Sequence, residues 1–178
     1  MWGMIATWRM ALEGIQKVTP SLSKEGVAGD AIEGAIKEVE DFPYFKSVGY
    51  GGLPNEKMEV ELDAAYLDGS RFDFGAVCAI KNFANPISIA RELSHYKVNN
   101  VLVGQGAQEF ARSRHFEEKE MLTDRAKIHY HNRLKDLEQE QLSPYAGHDT
   151  VGMVALDTHG DMVAGTSTSG LFMKKPGR

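Results

Sequence analysis

Thr150 is the residue on which a chemistry for this chain can be built. It stands in Gly147-His148-Asp149-Thr150-Val151-Gly152-Met153-Val154-Ala155-Leu156-Asp157, a polar junction followed by an apolar run. A hydroxyl is a poor nucleophile at neutral pH unless a base lies beside it. A threonine's own α-amino group is such a base, titrating near ~7.7–8.0, but only if the threonine is the first residue of a chain. The Asp149–Thr150 bond would then be cut after translation. The β-hydroxyl can make that cut itself. It attacks the preceding carbonyl through a five-membered ring, the peptide becomes an ester, and water opens the ester. Asp149 is left with a new carboxylate and Thr150 with a free amine next to its hydroxyl. The same letters also make an ordinary loop-to-strand junction, so the rest of the chain has to decide.

Few other residues compete for a chemical role. Cys78 is the one cysteine, so no internal disulfide can form. It lies in the apolar run Gly75–Ile80 and reads as a buried small hydrophobe, consistent with a reducing compartment. His129 and His131 fall in a charge-rich stretch at a spacing that makes them diverge on a helix, where ligands on one face need three or four residues between them. They read as surface histidines, not a metal site. Val101-Leu102-Val103-Gly104-Gln105-Gly106 looks like the front of a dinucleotide fingerprint, but Glu109 holds the place of the third glycine and no βαβ unit opens the chain, which argues against nucleotide binding. Trp2 and Trp8 are close enough in sequence to suggest a ligand platform, and Trp8 is assigned to the core.

Composition narrows the class. The chain has 178 residues and a net charge of −5, enough length for one domain with a sizeable core. Without a long Lys/Arg run there is no electrostatic footprint for nucleic acid. No apolar stretch reaches the ~20 residues of a membrane-spanning helix, and the N-terminus lacks the layout of a signal peptide. The cytoplasm is the expected compartment.

The elements that must position Thr150 follow from periodicity. Trp2–Ala6 can be a strand end. Thr7 can cap a helix carrying Met10, Ala11, Leu12 and Ile15 on one side, which Thr19-Pro20 should end. Gly29-Asp30 starts a second helix with the stripe Ala31, Ile32, Ala35, Ile36 and Val39, stopped at Asp41-Phe42-Pro43. Gly49, Gly51 and Gly52 suggest a backbone that approaches something closely, either a plain loop or one folded under the active site. Met58–Leu67 and Arg71–Ile80 form a hairpin about Asp68-Gly69. Pro86 opens a helix, Asn100–Val103 is a short buried strand, and Gln108–Arg112 is helical. Residues 117–142 read as a solvated helix, and Ser143–Gly147 is the break before Thr150. After it, Val151–Leu156 is a strand apolar on both faces, Asp157–Asp161 a turn, and Met162–Gly165 an antiparallel return. That return brings Thr166-Ser167-Thr168-Ser169-Gly170 back beside Thr150.

These motifs together resemble the glycosylasparaginase (aspartylglucosaminidase) family of N-terminal-nucleophile hydrolases of asparaginase type. The resemblance rests on the Thr150 segment, on Ala164-Gly165-Thr166-Ser167-Thr168-Ser169-Gly170, and on Pro176-Gly177-Arg178. Upstream it is carried in order by Gly29–Glu33, Ser47–Gly52, Leu62-Asp63-Ala64, Lys81-Asn82 with Asn85-Pro86-Ile87, and Val101–Gly104. It implies an α+β fold, a four-layer αββα sandwich, over a single domain of residues 1–178. Self-cleavage would divide the domain into an α-chain, 1–149, and the start of a β-chain, 150–178. A dimer of the cleaved heterodimer is also implied. Thr150 would be the nucleophile, Thr168 its supporting hydroxyl, and His148, Asp149 and Thr150 the processing residues. Arg178 would grip the substrate's α-carboxylate, a task suited to a planar guanidinium, with Trp2 over the substrate site. Leu53 departs from members that carry a polar residue there.

The implied substrate is a small asparagine derivative, N-acetylglucosaminyl-asparagine, with no metal or cofactor. His148-Asp149 favours this over generic L-asparaginase or β-aspartyl peptidase action, and a non-catalytic binding domain with an uncut chain is the remaining alternative. The family pattern continues past Arg178 with a Val-Gly-Asp-type segment and a Thr-Gly-type oxyanion hole. These residues would therefore hold the nucleophile and half of the substrate pocket.

Overall fold

Alternating burial along four strands sets the architecture. In a computed structural model, residues 1–140 and 150–178 are described, with side chains in the first stretch described through Glu138. The elements are β1 (Gly3–Ala6), a short 3-10 turn (Arg9–Ala11), α1 (Leu12–Leu22), α2 (Ala28–Asp41), β2 (Leu62–Asp68), β3 (Asp73–Ile80), α3 (Pro86–Ser94), β4 (Val101–Val103), α4 (Gly104–Ser113), α5 (Asp124–Glu140), β5 (Val151–Leu156) and β6 (Met162–Thr168). Among the described residues these strands make one sheet in the order β1-β5-β6-β2-β3-β4. All neighbours are antiparallel except β3 and β4. The fold is mixed α+β, and no helix among the described residues is long and apolar enough to cross a membrane.

One face of the sheet is packed. The apolar stripe of α2 (Ile32, Ala35, Ile36, Val39) and that of α3 (Ile87, Ile89, Ala90, Leu93) are buried with Leu62, Ala64, Val77, Val151, Met153 and Val163. Glycines let the helices sit close. A methyl at Gly165 would fall 2.6 Å from Ile32 and 2.8 Å from Ile36, and one at Gly75 would fall 2.1 Å from the Ala90 carbonyl oxygen and 2.4 Å from the Ser94 nitrogen. The Gly75 contact is with backbone, which cannot rotate away. Gly75→Ala is therefore expected to lower stability by about 3 kcal/mol, the upper end for overpacking, read as a lower urea midpoint at unchanged slope. The opposite face carries Ile5, Leu67, Phe74 and Val154 exposed, a row of apolar side chains that no layer covers among the described residues.

The β5–β6 hairpin is fastened by one carboxylate. Asp157 is buried, its Oδ1 accepts the N–H groups of His159 and Asp161, and its Oδ2 accepts that of Ala28 at the start of α2. Burial pushes the Asp157 carboxyl up, but these backbone donors outweigh it and hold it below the usual range. The turn thus fixes the helix that underlies the sheet.

Several expectations need correction. Trp8 is not core. It is 58% exposed, with φ at 63°, a conformation costly for a bulky residue. Thr7 does not cap the first helix; Trp8 occupies that place without a side-chain bond. Pro20 does not end α1, which runs to Leu22; its ring removes one ladder donor, and the helix closes two residues beyond it. Val101 and Val103 are exposed, since β4 is an edge strand and only Leu102 turns toward the core. Cys78 is half-buried. The helix expected across 117–142 begins only at Asp124.

Candidate active site

Hairpin register delivers the hydroxyl pair. Val151 lies opposite Ser167, so the preceding Thr150 and the following Thr168 meet at the strand ends. Thr150 Oγ1 donates to Thr168 Oγ1 at 3.2 Å. Thr168 Oγ1 in turn donates its one proton to the Ser47 carbonyl at 3.3 Å and accepts the Gly170 N–H at 2.9 Å. A hydroxyl has one donor and two acceptor positions, and all three of Thr168's are used. It therefore offers Thr150 an oriented acceptor rather than a freely rotating one.

Thr7 is the residue that sequence reasoning missed. Its Oγ1 donates to the Thr150 carbonyl at 2.9 Å and accepts the Gly152 N–H at 2.9 Å, and its own N–H donates to the Gly152 carbonyl at 2.9 Å. One side chain thus extends the β1–β5 ladder to the start of β5 and clamps the backbone of Thr150. The signal was present as a hydroxyl one residue beyond a strand, but a helix cap uses the same residue types.

Beneath the pair lies the glycine loop. The Ser47 carbonyl also accepts the Ser169 N–H at 2.6 Å. A Cβ on Gly52 would meet Ser169 Cβ at 2.8 Å, and one on Gly49, whose φ is 59°, would meet the Glu40 backbone at 2.2 Å. The loop is folded under the site, and only glycine permits its approach.

The cavity around Thr150 measures about 620 Å³ and is lined by Thr150, Thr168, Asp63, Cys78, Leu171 and Arg178. Its floor is made by a register shift between Leu62 and Ala64. At such a bulge one side chain is re-aimed: Asp63 Oδ1 accepts the Ala79 N–H at 2.8 Å, and its Oδ2 stands 3.5 Å from Lys174 Nζ. Lys174 is fully buried and also donates to the Glu61 carbonyl at 3.2 Å. Burial raises the Cys78 thiol, and the Asp63 carboxylate adds to it, so the thiol stays protonated and Cys78 serves as wall rather than nucleophile. Arg178 arrives on a backbone held by Glu61, a buried residue whose two carboxylate oxygens accept the Gly177 N–H at 3.2 and 3.0 Å.

The other singled-out residues fall as follows. Thr150, Thr168 and Arg178 share the cavity. Trp2 does not join them, because Gly3 pairs with Leu156 and Ala6 with Met153, which puts Trp2 at the far end of β1 from Thr150. Trp8 follows Thr7 directly in the chain but lines a different cavity. His148 and Asp149 lie outside the described residues. Leu53 faces a separate cavity with His129 and Phe172. His131 is exposed, and among the described residues no cluster of His, Cys, Asp or Glu could hold a metal.

A buried acid sits under the hairpin. Glu40 Oε1 accepts the Ile87 N–H at 3.1 Å and Oε2 lies 3.4 Å from Asn85 Nδ2. The Ser167 hydroxyl lies beside it without reaching full hydrogen-bond geometry. Burial pushes this carboxyl up to about 8, against the opposing pull of Ser167, Ile87 and Asn85. The folded chain then keeps a proton that the unfolded chain releases near an ordinary carboxylate pKa of about 4.3. Glu40's contribution to stability is complete below that value and is lost as pH rises toward 8. Urea unfolding from pH 5 to 8 is expected to show a declining component that Glu40→Gln removes.

The site's geometry is a threonine hydroxyl just before one strand, held against a second threonine hydroxyl at the end of the partner strand. The chain belongs to the asparaginase family, which it matches over residues 6–178. It is 37% identical over 175 residues to the N(4)-(beta-N-acetylglucosaminyl)-L-asparaginase of Elizabethkingia miricola, covering 98% of this chain and 51% of that protein. It is 36% identical over 177 residues to the isoaspartyl peptidase/L-asparaginase of Xenopus laevis, covering 97% and 57%. It is 38% identical over 169 residues to the plant-type L-asparaginase of Pyrococcus horikoshii, covering 87% and 54%. The chain spans about half the length of the curated relatives it matches.

Proposed function

We infer that these residues form the nucleophile-bearing part of a self-processing amidohydrolase that cleaves the side-chain amide of N-acetylglucosaminyl-asparagine. The observation that carries this reading is the Thr150–Thr168 hydroxyl contact at the end of a clamped strand. In the first reaction Thr150 Oγ1 attacks the Asp149 carbonyl carbon, the C–N bond breaks, and water hydrolyses the ester, leaving the Asp149 carboxylate and the Thr150 amine. Residues 1–149 become the α-chain and 150–178 begin the β-chain of what remains one domain. His148, with Asp149, lies on the processing side of the cut.

In the second reaction the hydroxyl attacks the substrate's amide carbon. Its proton passes to the Thr150 amine, which then protonates the departing glycosylamine. A β-aspartyl ester remains, and water frees aspartate. Thr168 holds the hydroxyl's geometry, and Arg178 pairs with the substrate α-carboxylate through two parallel bonds. The open apolar face of the sheet supports a second sheet laid over it, giving the four-layer αββα sandwich, with the processed unit pairing into a dimer.

The isoaspartyl peptidase/L-asparaginase names among the relatives support a second reading on free asparagine or β-aspartyl peptides. The test is a turnover comparison by the product of the whole gene. A kcat/KM at least tenfold higher for N-acetylglucosaminyl-asparagine than for asparagine and β-aspartyl peptides supports the first reading, and the reverse order replaces it with the second.

A further inference from the structure

A second cavity, about 800 Å³, shares no wall residue with the first; it is bounded by Trp8, Met10, Phe42 and Phe45, with Arg9, Glu13 and Glu38 as its charged side chains. Such a volume and lining suit a small organic ligand. Phe42 and Phe45 meet in a tilted contact, ring centroids 4.7 Å apart and planes at 45°, and Phe42 and Trp8 are both exposed. Phe45 packs against the core, so the wall joins two exposed rings to one that is anchored.

Two chain connections tie this cavity to the nucleophile pair. Trp8 is one Cα step, about 3.8 Å, from Thr7, which bonds the Thr150 carbonyl. Phe45 is two residues before Ser47, whose carbonyl accepts the Thr168 hydroxyl. Each wall is therefore anchored to one member of the pair. Trp8 is also held at a left-handed φ of 63°, and strain of this kind concentrates where a side chain must be presented.

We propose that this cavity is a subsite for the second saccharide unit of the leaving group, one sugar removed from that attached to asparagine. The proposal rests on the glycosylated-asparagine reading above. A pyranose ring has an apolar C–H face and a hydroxyl edge. The electron-rich faces of Trp8, Phe42 and Phe45 match the first, and the Glu13 and Glu38 carboxylates can accept from the second. Glu13 is paired with Arg9, and Glu38 with Lys17, so the rim carries no net positive charge that would select an anionic ligand instead.

The test uses the full gene product and two substrates, asparagine bearing one or two N-acetylglucosamine units. Phe45→Ala and Phe42→Ala are expected to lower kcat/KM for the two-sugar substrate at least tenfold more than for the one-sugar substrate, with Phe45→Tyr restoring most of the difference. An equal loss on both substrates, or no loss on either, overturns the subsite. Saturation-transfer NMR with free N,N′-diacetylchitobiose decides independently of turnover. Binding that disappears in Phe45→Ala upholds the cavity as a disaccharide site even if the enzyme cleaves only unglycosylated asparagine, an outcome that would refute the parent reading and with it the leaving-group assignment. No binding to the unsubstituted protein, or binding untouched by both alanine variants, overturns it.

Discussion

Thr150→Ala is expected to leave the product of the whole gene as one uncut chain with no amidase activity. Intact-mass measurement should find two fragments meeting at 149/150 in the unsubstituted protein and one mass in the variant. In the proposed scheme one hydroxyl both opens the peptide and attacks the substrate, so alanine would remove both functions at once. No neighbour can substitute, because Thr168 Oγ1 already spends its proton on the Ser47 carbonyl and its acceptor positions on Gly170 and Thr150. Thr150→Ser keeps the hydroxyl and should still process, more slowly, because the β-methyl that restricts χ1 is gone. A variant that cleaves normally without a hydroxyl at this position would end the self-processing account.

Arg178→Lys is expected to raise KM about a hundredfold, within the 2–5 kcal/mol typical of breaking a hydrogen-bonded charge pair, while cleavage at 149/150 proceeds as before. The side chain lines the Thr150 cavity, and a planar fork matches a carboxylate where an ammonium does not. Its placement depends on Glu61, which takes the Gly177 N–H with both oxygens, and on buried Lys174 under the same segment. Steady-state kinetics would separate the roles, since loss confined to kcat at constant KM would remove Arg178 from substrate binding.

The hairpin was legible because two kinds of information agreed. Alternation across Val151–Leu156 and a Gly-Asp turn forced the return strand to bring Thr168 beside Thr150, and the register places them there. The stripe of α2 was equally plain. What the sequence hid was long-range. Thr7 stands 143 residues from its partner, and nothing local separates a strand-end clamp from a helix cap. No local pattern separates Lys174 and Asp63 from the chain's other charges, yet the fold buries one and the register shift places the other in the cavity wall. The two tryptophans differ from expectation for separate reasons. Trp8 is assigned to the interior as a large apolar residue is by default, but it is exposed; Trp2 is carried over the substrate site by resemblance, whereas the β1 register sends it away from Thr150. The membership of Arg178 in the cavity was carried by family resemblance, not by any pattern in the chain.

The strand order has a consequence for what a cut at 149/150 would leave behind. Both strands of the downstream piece, β5 and β6, are flanked by upstream strands, β1 on one side and β2 on the other, and Asp157 reaches across to the start of α2. The severed peptide would not come away like a trimmed tail. It is interleaved with its parent along two full ladders, so the halves should travel together in size-exclusion chromatography and part only when the sheet itself is melted.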